Sequence, residues 1–174
     1  IYLKTGDYAL YYFERQSDDG YTSPVGINAK LSYNDADKQY ELKYKDGTCE
    51  LFDANGRLKK TVSKVGNEIR YIYDAKGRLS KVQNSVGDYL TLSYDSNNKL
   101  SSVASKAQTV YYTWKEDLLT KIFIKVDGEE QVREAYECSA DQDLVKVLDA
   151  EGNATTIAYD KANGRPTKIT DPKN

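Results

Sequence analysis

The sequence predicts an all-β protein of antiparallel hairpins, and three observations carry that prediction. A unit of aromatic residue, turn and basic-Leu pair recurs about every 21 residues. Between the turns, side chains alternate along short stretches as they do on a strand. Glycine, aspartate and asparagine stand where the chain has to reverse. Composition agrees: 16 tyrosines and 11 glycines against 3 prolines suit half-buried pleated surfaces joined by tight turns. Hydrophobic residues make up 39% and charged residues 30%, which leaves much wetted surface.

The first 45 residues read as a lead-in β segment, with a strand around Tyr8–Tyr12. Alternation at Tyr40, Leu42 and Tyr44, then Asp46-Gly47, then Cys49 to Leu51, makes a short hairpin. The array over 46–174 follows. Its clearest units are Phe52-Asp53-Ala54-Asn55-Gly56-Arg57-Leu58, Tyr73-Asp74-Ala75-Lys76-Gly77-Arg78-Leu79 and Tyr94-Asp95-Ser96-Asn97-Asn98-Lys99-Leu100. Trp114, Tyr136 and Tyr159 continue the spacing, and Tyr159-Asp160 leads into Gly164-Arg165. Gly66, Gly87 and Gly152 sit seven residues before three of these aromatics, so each period holds two turns and two strands. Ile69, Tyr71 and Tyr73 fall on one face, as do Leu90, Leu92 and Tyr94, and Val110, Tyr112 and Trp114. One hairpin cannot bury its apolar face alone, so neighbouring units are expected to make a continuous core. Turns are expected near 46–47, 53–56, 74–77, 95–98 and 160–164. The chain has no methionine and opens at Ile1 in mid-pattern, so a segment truncated at both ends is expected.

The units at 73–79 and 94–100, with Gly87 between them, resemble the YD repeat of Rhs proteins, bacterial wall-associated proteins and teneurins. Tyr12-Phe13, Gly20-Tyr21-Thr22-Ser23-Pro24 and Lys45-Asp46-Gly47 resemble the lead-in to such repeats in Gram-positive surface proteins. The resemblance implies a long β-ribbon that spirals into a shell, which in toxin-bearing members encloses a C-terminal effector. The expected fold is therefore a curved antiparallel sheet, an arc of such a shell. It also implies an extracellular, cell-surface or cell-wall setting, with further repeats or an effector of the same polypeptide as partner.

Chemistry points the same way. Without histidine the Ser-His and Cys-His nucleophile systems and most zinc catalysis lack a member. The carboxylates carry no sign of the separated environments that a glycosidase pair needs. Asp53-Ala54-Asn55-Gly56 and Asp149-Ala150-Glu151-Gly152 lack the remaining ligands of a calcium loop and read as capped turns. Two widely spaced cysteines, Cys49 and Cys138, read as unpaired strand residues. No catalytic, cofactor-binding or metal-ligating residue is assigned, and the repeat positions named above are read as structural. A net charge of −2 gives no field for nucleic acid, and no apolar run is long enough to span a membrane. Arg57, Arg78, Lys99 and Arg165 recur like a basic ladder for a polyanion, but Asp53, Asp74, Asp95 and Asp160 are expected to pair with them across strands. The alternative function is a carbohydrate- or wall-polymer-binding adhesion module using the tyrosines. Self-association through strand edges, around Tyr8–Tyr12 and Thr167–Ile169, is also expected.

Overall fold

A computed structural model describes residues 1–6, 8–16 and 20–172. Positions 7 and 17–19 of the expected lead-in, and 173–174 of the expected array, lie outside the described residues. Among the described residues there are eighteen strands and no helix. The chain divides into two units, Ile1–Tyr89 and Leu90–Asn174.

The first unit opens with two small hairpins. Strands β1 (Tyr2–Lys4) and β2 (Leu10–Tyr12) pair with each other, as do β3 (Glu14–Arg15) and β4 (Tyr21–Thr22). Six longer strands follow in chain order: β5 (Ala29–Asn34), β6 (Gln39–Tyr44), β7 (Cys49–Asp53), β8 (Leu58–Val62), β9 (Glu68–Tyr73) and β10 (Leu79–Asn84). Phe13, Ala29, Leu31 and Leu42 form a buried cluster, with Leu3, Tyr11, Tyr40 and Phe52 packed against it.

The second unit carries β11 (Tyr89–Tyr94), β12 (Leu100–Ala104), β13 (Thr109–Lys115), β14 (Leu118–Val126), β15 (Glu129–Cys138), β16 (Leu144–Leu148), β17 (Ala154–Asp160) and β18 (Arg165–Thr170). Phe123 and Ile124 of β14 are buried here, and Phe123 stacks on Tyr111 with ring centroids 5.1 Å apart. In each unit the strands are antiparallel and follow the chain in order, β5 to β10 in the first and β11 to β18 in the second, with β5 and β18 as terminal strands. Tyr8–Tyr12 therefore does not supply a terminal strand. Its strand β2 pairs instead with β1, Tyr2 facing Tyr12 and Leu3 facing Tyr11.

The expected continuous core is not what holds the repeats. Among the described residues, the strands from β7 to β13 bury no side chain completely; Tyr71, Tyr73, Leu92, Tyr94, Tyr112 and Trp114 are half-buried, while Ile69 and Leu90 are exposed. Within each of the two units, neighbouring repeats share the backbone ladder and cross-strand side-chain pairs.

Candidate structural site: the repeated turn, bulge and aromatic staple

The unit begins with its turn. At 53–57 the Asp53 N–H donates to the Arg57 carbonyl at 2.9 Å, and the Gly56 N–H donates back to Asp53 O at 2.9 Å. The Asp53 carboxylate closes the loop: Oδ1 accepts from the backbone N–H groups of Asn55 and Arg57, and Oδ2 accepts from Arg57 Nε at 3.0 Å. Asp74 repeats every one of these bonds with Lys76 and Arg78. Asp95 holds Asn97 and Lys99 by their backbone N–H groups. The same loop recurs on the other side of the sheet, capped by Ser63, Asn84 and Asp149. The fourth loop position needs a left-handed backbone, which Gly77 takes at φ 79° and Asn98 at φ 63°.

The carboxyls respond to these bonds. The Arg78 backbone N–H, then its side chain, hold Asp74 below the usual carboxylate value. Burial pushes Asp53 up, but the N–H groups and guanidinium of Arg57 outweigh it and the net direction is down. Asp149 is lowered too, chiefly by the Asn153 side chain.

Next to the turns capped by Asp53, Asp74 and Asp95 the ladder carries one extra residue. Phe52 faces Leu58 while Leu51 faces Lys60; Tyr73 faces Leu79 while Ile72 faces Lys81; Tyr94 faces Leu100 while Ser93 faces Ser102. Trp114 with Leu119, and Tyr159 with Pro166, repeat the slip. The bulged residue is often a hydroxyl residue that caps a carbonyl of the facing strand: Ser80 to Ile72 O at 3.1 Å, Thr120 to Thr113 O at 3.0 Å, and Thr167 to Ala158 O at 3.2 Å. A bulge bends and twists its strand pair locally. A Ser or Thr directly after the Leu or Pro marks four of these five bulges, and Lys59 stands in that place in the first.

The aromatic then links one unit to the unit before it. Tyr73 OH donates to Leu58 O at 2.8 Å, Trp114 Nε1–H to Leu100 O at 2.7 Å, and Tyr159 OH to Leu144 O at 3.0 Å. In each case the acceptor is the leucine that faces the preceding unit's own repeat position. Phe52, which opens the series, has no polar tip. The preceding unit's cation covers the aromatic ring: Arg57 lies 5.3 Å above Tyr73 and Lys99 lies 5.7 Å above Trp114.

Two expectations change here. The pairing of cations with the repeat aspartates holds only in part: Arg57 and Arg78 bind the aspartate of their own turn, four residues back. Lys99 reaches Asp117 at 2.5 Å. In the last unit Asn163, not Arg165, contacts the Asp160 carboxylate, while Gly164 donates its N–H to Asp160 O. The reason is reach: a residue four along a tight loop returns beside its cap. Second, Tyr136 does not stand at the repeat place. Cys138 does, facing Leu144 beside the bulge, with Ser139 as loop cap and Gln142 at φ 68° in the glycine place. Counting 21 residues back from Tyr159 lands on Cys138, a spacing signal without an aromatic side chain. Tyr136 instead donates its hydroxyl to Glu134, and burial followed by that bond pushes it up to about 12. Cys49 and Cys138 are free thiols.

An RHS repeat family matches residues 52–89. No curated protein matches the chain. Among solved structures, a crystal structure of TcdB2-TccC3-Cdc42 aligns with a TM-score of 0.56 and 11% identity, over 98% of this chain and 12% of that one. A structure of TcdB2-TccC3-TEV aligns at TM-score 0.42 and 13% identity, over 97% of this chain and 13% of that one. A porin-like protein from Bacteroides uniformis aligns at TM-score 0.39 and 11% identity, over 98% and 89%. The chain thus spans about an eighth of the first two. Only the first likeness is strong enough to speak for the fold. With the repeated turn, bulge and staple bracketing the matched residues, the chain is an all-β antiparallel protein that carries an RHS (YD) repeat over residues 52–89.

Proposed function

We propose that this segment is a non-catalytic scaffold, part of the wall of a β-shell in a secreted or surface protein that encloses or presents a C-terminal effector. The observation that carries the reading is the staple. Donors and acceptors that a catalytic or ligand site would aim outward are engaged instead in joining one repeat to the next or in closing a turn. The RHS repeat at 52–89 and the shared fold support a structural role. The other positions named as repeat residues are read as parts of the same framework, with residues 1–45 as a lead-in. Limited proteolysis of the full-length protein tests enclosure. Residues after this segment should resist cleavage while the sheet is intact, and become accessible when Tyr73→Phe, Trp114→Phe and Tyr159→Phe are combined. Equal cleavage in both proteins would count against enclosure.

One observation favours the adhesion reading. Tyr2 and Tyr12 are 70% and 52% exposed with ring centroids 5.0 Å apart, a platform suited to a sugar face. Titration with oligosaccharides, followed by tyrosine fluorescence, should then respond in the wild type and not in Tyr2→Ala.

A further inference from the structure

The first unit holds an open cavity of about 410 Å³, within the range of roughly 300–1,000 Å³ typical of small-ligand sites. Its floor is core: Phe13, Leu31 and Leu42 are buried, and Phe52 is half-buried beside them. Its rim is formed by β1 and by Ala54, Asn55 and Gly56 of the first repeat's turn. At Gly56 an added Cβ would meet nothing within 4 Å, so the space above the turn is open.

Charge at this cavity has one sign. Among the described residues Lys4 is the only lining residue with a charged side chain, and the Ile1 α-ammonium, which also lines the cavity, donates to Phe13 O at 2.9 Å. The Lys4 ammonium lies 4.6 Å over the Tyr8 ring, and among the described residues it has no carboxylate partner. A lysine head on a flexible stem can swing to a bound anion. The Asn55 side chain, exposed on the rim, offers an amide donor beside it. An apolar floor with the Lys4 ammonium able to reach its mouth complements a negative charge on an apolar body.

We propose that this cavity binds an anionic amphiphile, an alkyl monocarboxylate whose chain lies on Phe13, Leu31, Leu42 and Phe52 and whose head meets Lys4. The site does not depend on the scaffold reading, since it is built by the lead-in and a single turn.

Calorimetric titration of the 174-residue chain with decanoate and with decanol, both below their aggregation concentrations, tests it. Decanoate should bind one per chain, with decanol about tenfold weaker. Lys4→Gln should bring decanoate down to the level of decanol and leave decanol unchanged. Ala54→Phe, at an exposed turn position that accepts most residues, should fill the cavity and weaken both more than tenfold with an unchanged circular dichroism spectrum. No decanoate binding by the wild type, or wild-type affinity in Ala54→Phe, would overturn the site. Equal affinity for decanoate and decanol would overturn the anionic assignment.

Discussion

Tyr73 and Tyr159 show how one side chain serves two units. Each ring covers the preceding turn or strand, and each hydroxyl satisfies a leucine carbonyl there at 2.8 and 3.0 Å. Removing only the oxygen leaves the packing and orphans a half-buried acceptor. Tyr73→Phe and Tyr159→Phe should each cost about 1 kcal/mol, read as a lower urea midpoint. Tyr71→Phe, on the same strand, should stay within about 0.5 kcal/mol; equal effects at 71 and 73 would contradict the staple. The aspartates predict a pH dependence. Asp53, Asp74 and Asp149 have folded values below the ordinary carboxylate value, so the stability they contribute is complete above the unfolded value of about 4 and is lost as pH falls through the folded ones. The urea midpoint should therefore be level near neutrality and fall below about pH 4, with a shallower fall in Asp74→Asn. A midpoint constant down to pH 2 would show that these caps contribute nothing.

Within a single hairpin, the bulge sets the register. Tyr73 faces Leu79 and Ile72 faces Lys81, with Ser80 as the extra residue. Deleting Ser80 would force a one-residue slip along β10 and turn its side chains to the opposite face. Loss of cooperative thermal unfolding, followed by circular dichroism, is expected for that deletion. Ser80→Ala, which removes only the hydroxyl bond to Ile72 O, should lower stability by about 0.5–1.5 kcal/mol. If the deletion melts like the substitution, the bulge is not what fixes register. The turn itself was legible in the sequence because Asp at the cap and Gly or Asn at the left-handed place are local requirements of the backbone. The bulge was not, since a Ser after a Leu is ordinary until the facing strand shows which residue lacks a partner.

Across the whole chain, strand order leaves β5 and β18 at the ends of the sheet. Along β18 the first five residues are exposed, and such a strand presents unpaired backbone groups to any other strand. Pro166 removes one donor near its start. Sedimentation over a hundredfold concentration range should show self-association, reduced by Ile169→Lys. A strictly monomeric protein at every concentration would mean that both ends are covered.

By itself the sequence determined the all-β class, the period of 21 residues, the position of each Asp-capped turn and the repeat that residues 52–89 match. All of these follow from near neighbours in the chain, through alternation, backbone φ and side-chain reach. Tertiary structure alone decided which residue fills each place. Cys138 rather than Tyr136 faces Leu144, Lys99 goes to Asp117, and Leu10–Tyr12 pairs with β1 outside the large sheet. It also decided that burial concentrates around Phe13 and Leu42 and at Phe123 and Ile124 rather than running through the repeats. These depend on which strands lie side by side, and pairing is settled by the sum of many weak cross-strand contacts that no local spacing records.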